Sequence, residues 1–238
     1  MSVKPIIFRP DMVRALLDGR KTVTRRVVKI TINKGEPVSH VGCNSAYYPA
    51  VNKDGVCANF YDVHGFYRGA AKPPYQPGDI LYVRETWRNQ PLKWSRESGY
   101  SDFELQYRAD FTDEENDCYG RCGGVAPWKW LPPIHMPKAA ARIFLRVTGV
   151  RVERLKDITK DQIIKAGVKP PHIHGYLTEL YQIFANGRYI ENEDPHFVFW
   201  QLWDSTIKPA ELETYGWNAN PYVWVIEFER CEKPEVFL

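Results

Sequence analysis

Apolar positions in this chain repeat with two periods, and the changes of period mark its elements. Met12, Val13, Leu16 and Leu17 recur at three-to-four-residue spacing behind Pro10 and ahead of Gly19, which predicts a helix over 10–18. Residues 21–30 then read as a strand, because Val23, Val27, Val28 and Ile30 are β-branched. Residues 80–85 alternate, with Leu81, Val83 and Glu85 on one face and Tyr82 and Arg84 on the other. A long or bent strand is expected over 142–155, broken at Gly149. A short helix is expected over 159–166, with Thr159 as its N-cap and Gly167 as its stop. Residues 175–186 and 195–205 are read as further helices, and 222–229 as the closing strand.

Between these segments lie two stretches of different texture, about 31–76 and 90–135, rich in Gly, Pro, Ser and Asp. They are read as insertions into one domain spanning 1–238. Strands separated by short helices predict an α+β fold built on a small β-barrel or strongly curved sheet. Charge changes the picture little: 32 Lys and Arg face 29 Asp and Glu, a net +3, too small an excess for a non-specific nucleic-acid coat. Basic residues do concentrate locally, as Arg20, Lys21, Arg25, Arg26 and Lys29. No apolar run reaches the ~18–20 residues of a membrane span. The apolar stretch before Arg9 and Asp11 is too short for a secretory signal, so a soluble, cytoplasmic protein is expected. The five cysteines, an odd number, argue against a disulfide framework. Cys118 and Cys122 have a metal-ligand spacing, but Cys43, Cys57 and His64 do not complete a recognisable set. No metal and no cofactor is expected.

The basic segment carries the most information. Leu16-Leu-Asp-Gly-Arg-Lys-Thr-Val-Thr-Arg-Arg26 resembles the signature of the ASCH superfamily, relatives of the PUA fold, written Gly-x-Lys-x-x-Glu-x-Arg. Gly19, Lys21 and Arg26 match it, and Thr24 stands where many members have Glu. In that departure the segment is similar to bacterial ASCH-type amidohydrolases that remove the acetyl group from acetylcytidine. Pro77-Gly-Asp-Ile-Leu-Tyr-Val-Arg-Glu-Thr-Trp87, Ile134-His-Met-Pro137, Leu155-Lys-Asp-Ile-Thr159 and Trp217-Asn-Ala-Asn-Pro-Tyr-Val-Trp-Val-Ile-Glu227 extend the resemblance to a phage- and prophage-encoded branch. The resemblance implies a PUA-like barrel with packed helices and a cleft. It implies binding of RNA or a modified nucleoside there or, as an alternative, hydrolysis of an acyl amide on a modified cytidine. The catalytic set of those hydrolases is a Lys, a Thr and a Glu; Lys21 and Thr24 carry over, while Ala166 falls at the place of the Glu. A third reading is a phage protein–protein adaptor that kept the fold and lost the cleft.

The residues have their own chemistry beside that resemblance. Amide hydrolysis needs a base or nucleophile, an oxyanion donor and a proton for the departing amine. Lys21 meets the first need only as a neutral amine, Thr24 suits the second, and Glu85 is the candidate replacement for the missing carboxylate. Strict alternation sets Lys21 and Thr24 on opposite faces, so a shared site requires a bend near Val23 or Lys21 in the loop. Glu85 lies on an otherwise apolar face and therefore requires a cationic partner, Lys21 or an arginine. In the binding reading Arg20, Arg25 and Arg26 grip phosphates, Trp87 (with Trp128 and Trp130) stacks on a base, and His135 contacts a base edge. The blander alternatives are a solvated basic face, core tryptophans and a packed histidine.

Overall fold

In the computed structural model, residues 2–29, 48–51, 58–61, 67–95, 99–111, 129–174, 178–185 and 187–234 are described. The chain divides into two compact units. The first comprises Met1–Asp18, Ile80–Leu145 and Arg230–Leu238, the second Gly19–Asp79 and Arg146–Glu229. Both helices and strands are present, the α+β class expected. Every sheet among the described residues is open, and none closes into a barrel. No helix among them is long and apolar enough to cross a membrane.

In the first unit, strand β1 (Val3–Ile7) runs parallel to β6 (Ile80–Arg84), with Ile6 opposite Val83, and β6 neighbours the start of β9 (Phe144–Arg154). Helix α1 (Pro10–Leu17) begins on Pro10 and buries Met12, Val13, Ala15 and Leu16. Past its end Gly19 takes φ +74, a conformation that a side chain disfavours. A long hairpin, β7 (Trp87–Ser95) with β8 (Gly99–Tyr107), fills part of the second expected insertion. Its base joins the core: Trp87 and Tyr107 pack with Ile80, Met136, Ala140, Ala141 and Phe144.

In the second unit, β9 neighbours β13 (Tyr222–Cys231), which pairs antiparallel with β2 (Val23–Val27) in a register that sets Ile226 opposite Thr24. The first expected insertion contributes a three-stranded antiparallel sheet, β3 (Tyr48–Val51), β4 (Ala58–Tyr61) and β5 (Tyr67–Ala71). It is no mere surface appendage: Ala58 and Phe60 are fully buried, and Phe60 meets Tyr222 of β13 edge-on, 5.5 Å between ring centres. Helix α2 (Lys160–Lys165) follows Thr159, whose side chain accepts from Gln162 N while Gln162 Oε1 accepts from Thr159 N. That reciprocal cap is the Thr-x-x-Gln signature of a helix start. Helix α3 (Pro195–Asp204) starts behind an Asp194 cap, and the short α4 (Leu212–Tyr215) follows.

One expected helix is a strand. Residues 175–186 contain β11 (Thr178–Ala185), the middle of a sheet with β10 (Lys169–His174) and β12 (Arg188–Asn192). Tyr181, Ile183 and Ala185 are the buried positions, a period of two. β11 and β12 pair as far as Ala185 with Arg188, and Gly187 takes φ +76. Asn-Gly is a strong sequence signal for such a hairpin.

Candidate functional site

The basic segment emerges from the left-handed Gly19, and β2 begins only at Val23, so Lys21 lies in the connecting loop. Four residues of this segment meet α2. Arg20 Nη1 donates to Gly167 O at 2.9 Å, Lys21 Nζ to Ala166 O at 2.6 Å, and Thr22 N to Lys165 O at 3.0 Å. Two residues into the strand, Arg25 Nη2 donates to Gln162 Oε1 at 2.9 Å. A helix end leaves its last carbonyls without intrahelical partners, and cations there are favoured by the helix dipole. Arg20, Lys21 and the backbone of Thr22 therefore cap α2. Lys21 Nζ also donates to Val23 O at 2.8 Å, and the residue is 5% exposed.

Arg25 is held less completely. It too is 5% exposed, yet its Nε and Nη1 are buried without a hydrogen-bond partner. Glu153, on β9, sits with Oε2 at 3.5 Å from Arg25 Nη2, close enough for Coulomb attraction but not for a hydrogen bond, and that oxygen is also unpartnered. Glu153 Oε1 is taken by Arg151, which also bonds Glu227 on β13. The ring of Phe199 on α3 lies 5.9 Å from the Arg25 guanidinium. Burial lowers the Arg25 pKa to about 10, with Glu153 opposing the shift, so the side chain remains a cation at neutral pH.

Thr24 is buried as well, but strand alternation sets it on the face of β2 opposite Arg25, with Arg26. Burial lowers the Arg26 pKa against the pull of Tyr75, and raises that of the Tyr75 phenol. Lys21 and Arg25 thus gather on α2, whereas Thr24 and Arg26 occupy the other side of the strand.

Glu85, Trp87 and His135 belong to the first unit. Glu85, 1% exposed, does find the arginine its position demands: Arg142 Nε and Nη2 donate to its two oxygens at 2.9 and 3.0 Å. The same guanidinium bonds both oxygens of Asp110 at 2.8 Å and lies 4.0 Å from the centre of the Tyr107 ring. Burial raises the Glu85 pKa, and Arg142 opposes the rise. Trp87 is a core residue, 7% exposed, with no face open to a base. Trp130 is covered by Arg88 at 4.2 Å, and Trp128 lies outside the described residues. His135 is exposed at the end of a single 3-10 turn, Pro133–His135. A depression of about 510 Å³ in this unit is lined by Arg142, Phe144, Arg230, Cys231 and Lys233 among others.

No protein family, curated protein or solved structure matches this chain. The geometry alone therefore ranks its candidate residues. Among the described residues no group of three metal-ligating side chains converges, and Cys43, Cys57, His64, Cys118 and Cys122 lie outside them. Sequence reasoning missed Gln162, Glu153, Arg151 and Arg142. Only Gln162 had a local signal, its place three residues after Thr159.

Proposed function

We propose that the second unit binds a nucleoside, free or as an unstacked base of RNA, at the Lys21–Arg25 cluster beside α2. The observation that carries the reading is Arg25. The capping of α2 explains why Arg20 and Lys21 stand where they do. It does not explain a buried guanidinium with two unpartnered nitrogens beside an unpartnered carboxylate oxygen. Each such atom costs about 1–3 kcal/mol when buried unmatched, and an apolar residue at position 25 avoids that cost. A buried polar group left unmatched by the protein is completed by a bound water, an ion or a ligand, and the nucleoside reading takes the last of these. The burial of Lys21 and Arg25 favours a compact polar ligand group over the phosphates of a long duplex. The likeness of 16–26 and of the later motifs to the ASCH superfamily supports the same reading, and with it a PUA-like fold.

Deacetylation of a modified cytidine is the weaker alternative. Ala166 is the residue whose carbonyl holds Lys21, so the position aligned with the hydrolase Glu is beside the ammonium and bears only a methyl. Glu85 is engaged by Arg142 instead. Calorimetric titration with cytidine, acetylcytidine and a short single-stranded RNA tests the proposal. Saturable binding by wild type that Arg25→Met weakens at least tenfold is expected, with no acetate released. Absence of binding to all three sinks the nucleoside reading and leaves the adaptor; acetate release that depends on Lys21 replaces it with the hydrolase.

A further inference from the structure

We propose, independently of the nucleoside reading, that the depression in the first unit binds a small organic acid, its carboxylate at Arg230 and Lys233 and its apolar body against Phe144 and Ala141. The depression has a volume of about 510 Å³, within the ~300–1,000 Å³ typical of small-molecule sites. All of its lining residues belong to that one unit.

The lining follows from where two strands begin and end. β9 starts at Phe144, and Ala141 and Arg142, just before it, reach the depression with it. β13 ends at Cys231, where the chain leaves strand alternation. Arg230 and Lys233, which a continued strand would set on opposite faces, therefore line the same depression. Ala141 and Phe144, 5% and 3% exposed, are members of the core cluster and supply an apolar wall. Arg230 and Lys233 are exposed at the rim. Among the described residues neither side chain has a hydrogen bond or an ion pair, in contrast to Arg142 and Arg151.

Arg142 supplies a fixed donor rather than net charge. Its Nε and Nη2 bond Glu85, its Nη1 and Nη2 bond Asp110, and the centre of the Tyr107 ring lies 4.0 Å away. The guanidinium is thereby held in place, its charge is matched by two carboxylates, and one N–H of Nη1 is left over. The charge that attracts a ligand is that of Arg230 and Lys233, opposed in the lining by Glu232 alone. A cationic ligand meets two like charges for one partner, and a neutral one leaves both cations unmatched. An oxyanion is favoured by both cations and accepts from either head group. The apolar wall separates the sources of that oxyanion. Inorganic phosphate has nothing to place against Phe144, whereas an organic acid covers apolar surface there.

The test is a nuclear magnetic resonance titration of the isotope-labelled full chain with benzoate, benzamide and inorganic phosphate. It is run on wild type and on the double variant Arg230→Ala, Lys233→Ala, whose exposed positions leave the core intact. Benzoate is expected to shift the amides of residues 141–144 and 230–233 saturably, with a Kd of about 1 mM. Benzamide has the same shape without the charge, and phosphate the charge without the apolar body. Each is expected to bind at least about fivefold more weakly, as is benzoate to the double variant. Absence of a saturable shift at these amides with benzoate overturns the proposal. Benzamide as tight as benzoate removes the role of charge, and phosphate as tight as benzoate leaves a bare anion site in place of one for an organic acid. Unchanged benzoate affinity in the double variant overturns the assignment to Arg230 and Lys233. None of these results bears on cytidine binding by the second unit, which is measured separately.

Discussion

Replacing Lys21 with methionine keeps most of the side-chain volume and removes the ammonium. Two hydrogen bonds disappear, to Ala166 O at 2.6 Å and to Val23 O at 2.8 Å. Bonds from a charged donor are worth about 1.5–3 kcal/mol each, giving a gross loss of about 3–6 kcal/mol. Against that stands the cost of keeping an ammonium at 5% exposure, which methionine relieves. The net destabilisation expected is therefore about 2–4 kcal/mol. Its location follows from the geometry: Ala166 is the C-cap of α2, a helix of six residues that depends on outside partners for its last carbonyls. Urea denaturation of wild type and Lys21→Met measures the total. Hydrogen exchange at the amides of Ala166, Gly167 and Val168 measures it where it arises. Faster exchange at these amides, with little change in the first unit, is the expected pattern. A stability change below about 0.5 kcal/mol with unchanged exchange refutes the capping role and leaves Lys21 a residue kept for chemistry alone.

Further consequences are as direct. Gly216→Ala places a Cβ 2.5 Å from the Leu212 carbonyl oxygen, a backbone atom, so a loss of about 2 kcal/mol or more in urea stability is expected. Gly149→Ala meets only the carboxylate end of Glu227 at 3.0 Å, and a change under about 1 kcal/mol is expected; the reverse ranking contradicts this packing. Arg142→Met leaves Glu85 buried without its partner and is expected to destabilise by about 3–5 kcal/mol, read by the same titration. Because burial sets the Glu85 pKa above its ordinary 4.5, the native state holds the proton more firmly than the unfolded chain. Its contribution is then full below that ordinary value and is lost as pH rises through the native one. Wild-type stability relative to Glu85→Gln should therefore fall on going from acid towards neutral pH, and a rise contradicts the assignment.

The legible parts of the fold were those where local pattern and tertiary burial agree. Helix 10–17 and strand 222–231 carry their apolar residues at the period of their own structure and end on clear signals. The segment 178–185 is the opposite case. Leu180, Tyr181 and Phe184 are spaced as a helix would space them, but the neighbouring strands bury Tyr181, Ile183 and Ala185 instead. The Asn186-Gly187 dipeptide in the sequence was the better guide. The Gly- and Pro-rich composition of 31–76 likewise hid β4, whose Phe60 is among the largest fully buried side chains. Within the candidate site, alternation left two routes for Lys21, a bend near Val23 or a place in the loop; Lys21 is in the loop, and Thr24 lies on the other side of β2 from Arg25. That Glu85 needed a cation was readable too. That the cation is Arg142, 57 residues further on, was not, because a long-range ion pair leaves no local periodicity.

Gln162 shows why such partners escape a reading of the chain and why they matter to function. Its amide oxygen accepts from Thr159 N, closing the cap of α2, and from Arg25, orienting the guanidinium. One atom thus ties the start of the helix to the strand that carries Arg25, while Lys21 ties the end of the same helix to the loop before it. The local signature predicts only the first of these bonds. Glutamate at 162 keeps the cap, since the box accepts either residue, but converts the second bond into an ion pair that holds Arg25 more tightly. Glutamine is the choice that fixes the guanidinium without neutralising it. Gln162→Glu is accordingly expected to leave the melting temperature unchanged or raised while weakening any ligand that bonds to Arg25. A variant that melts earlier and binds as well as wild type would show that Gln162 serves the helix and not the site.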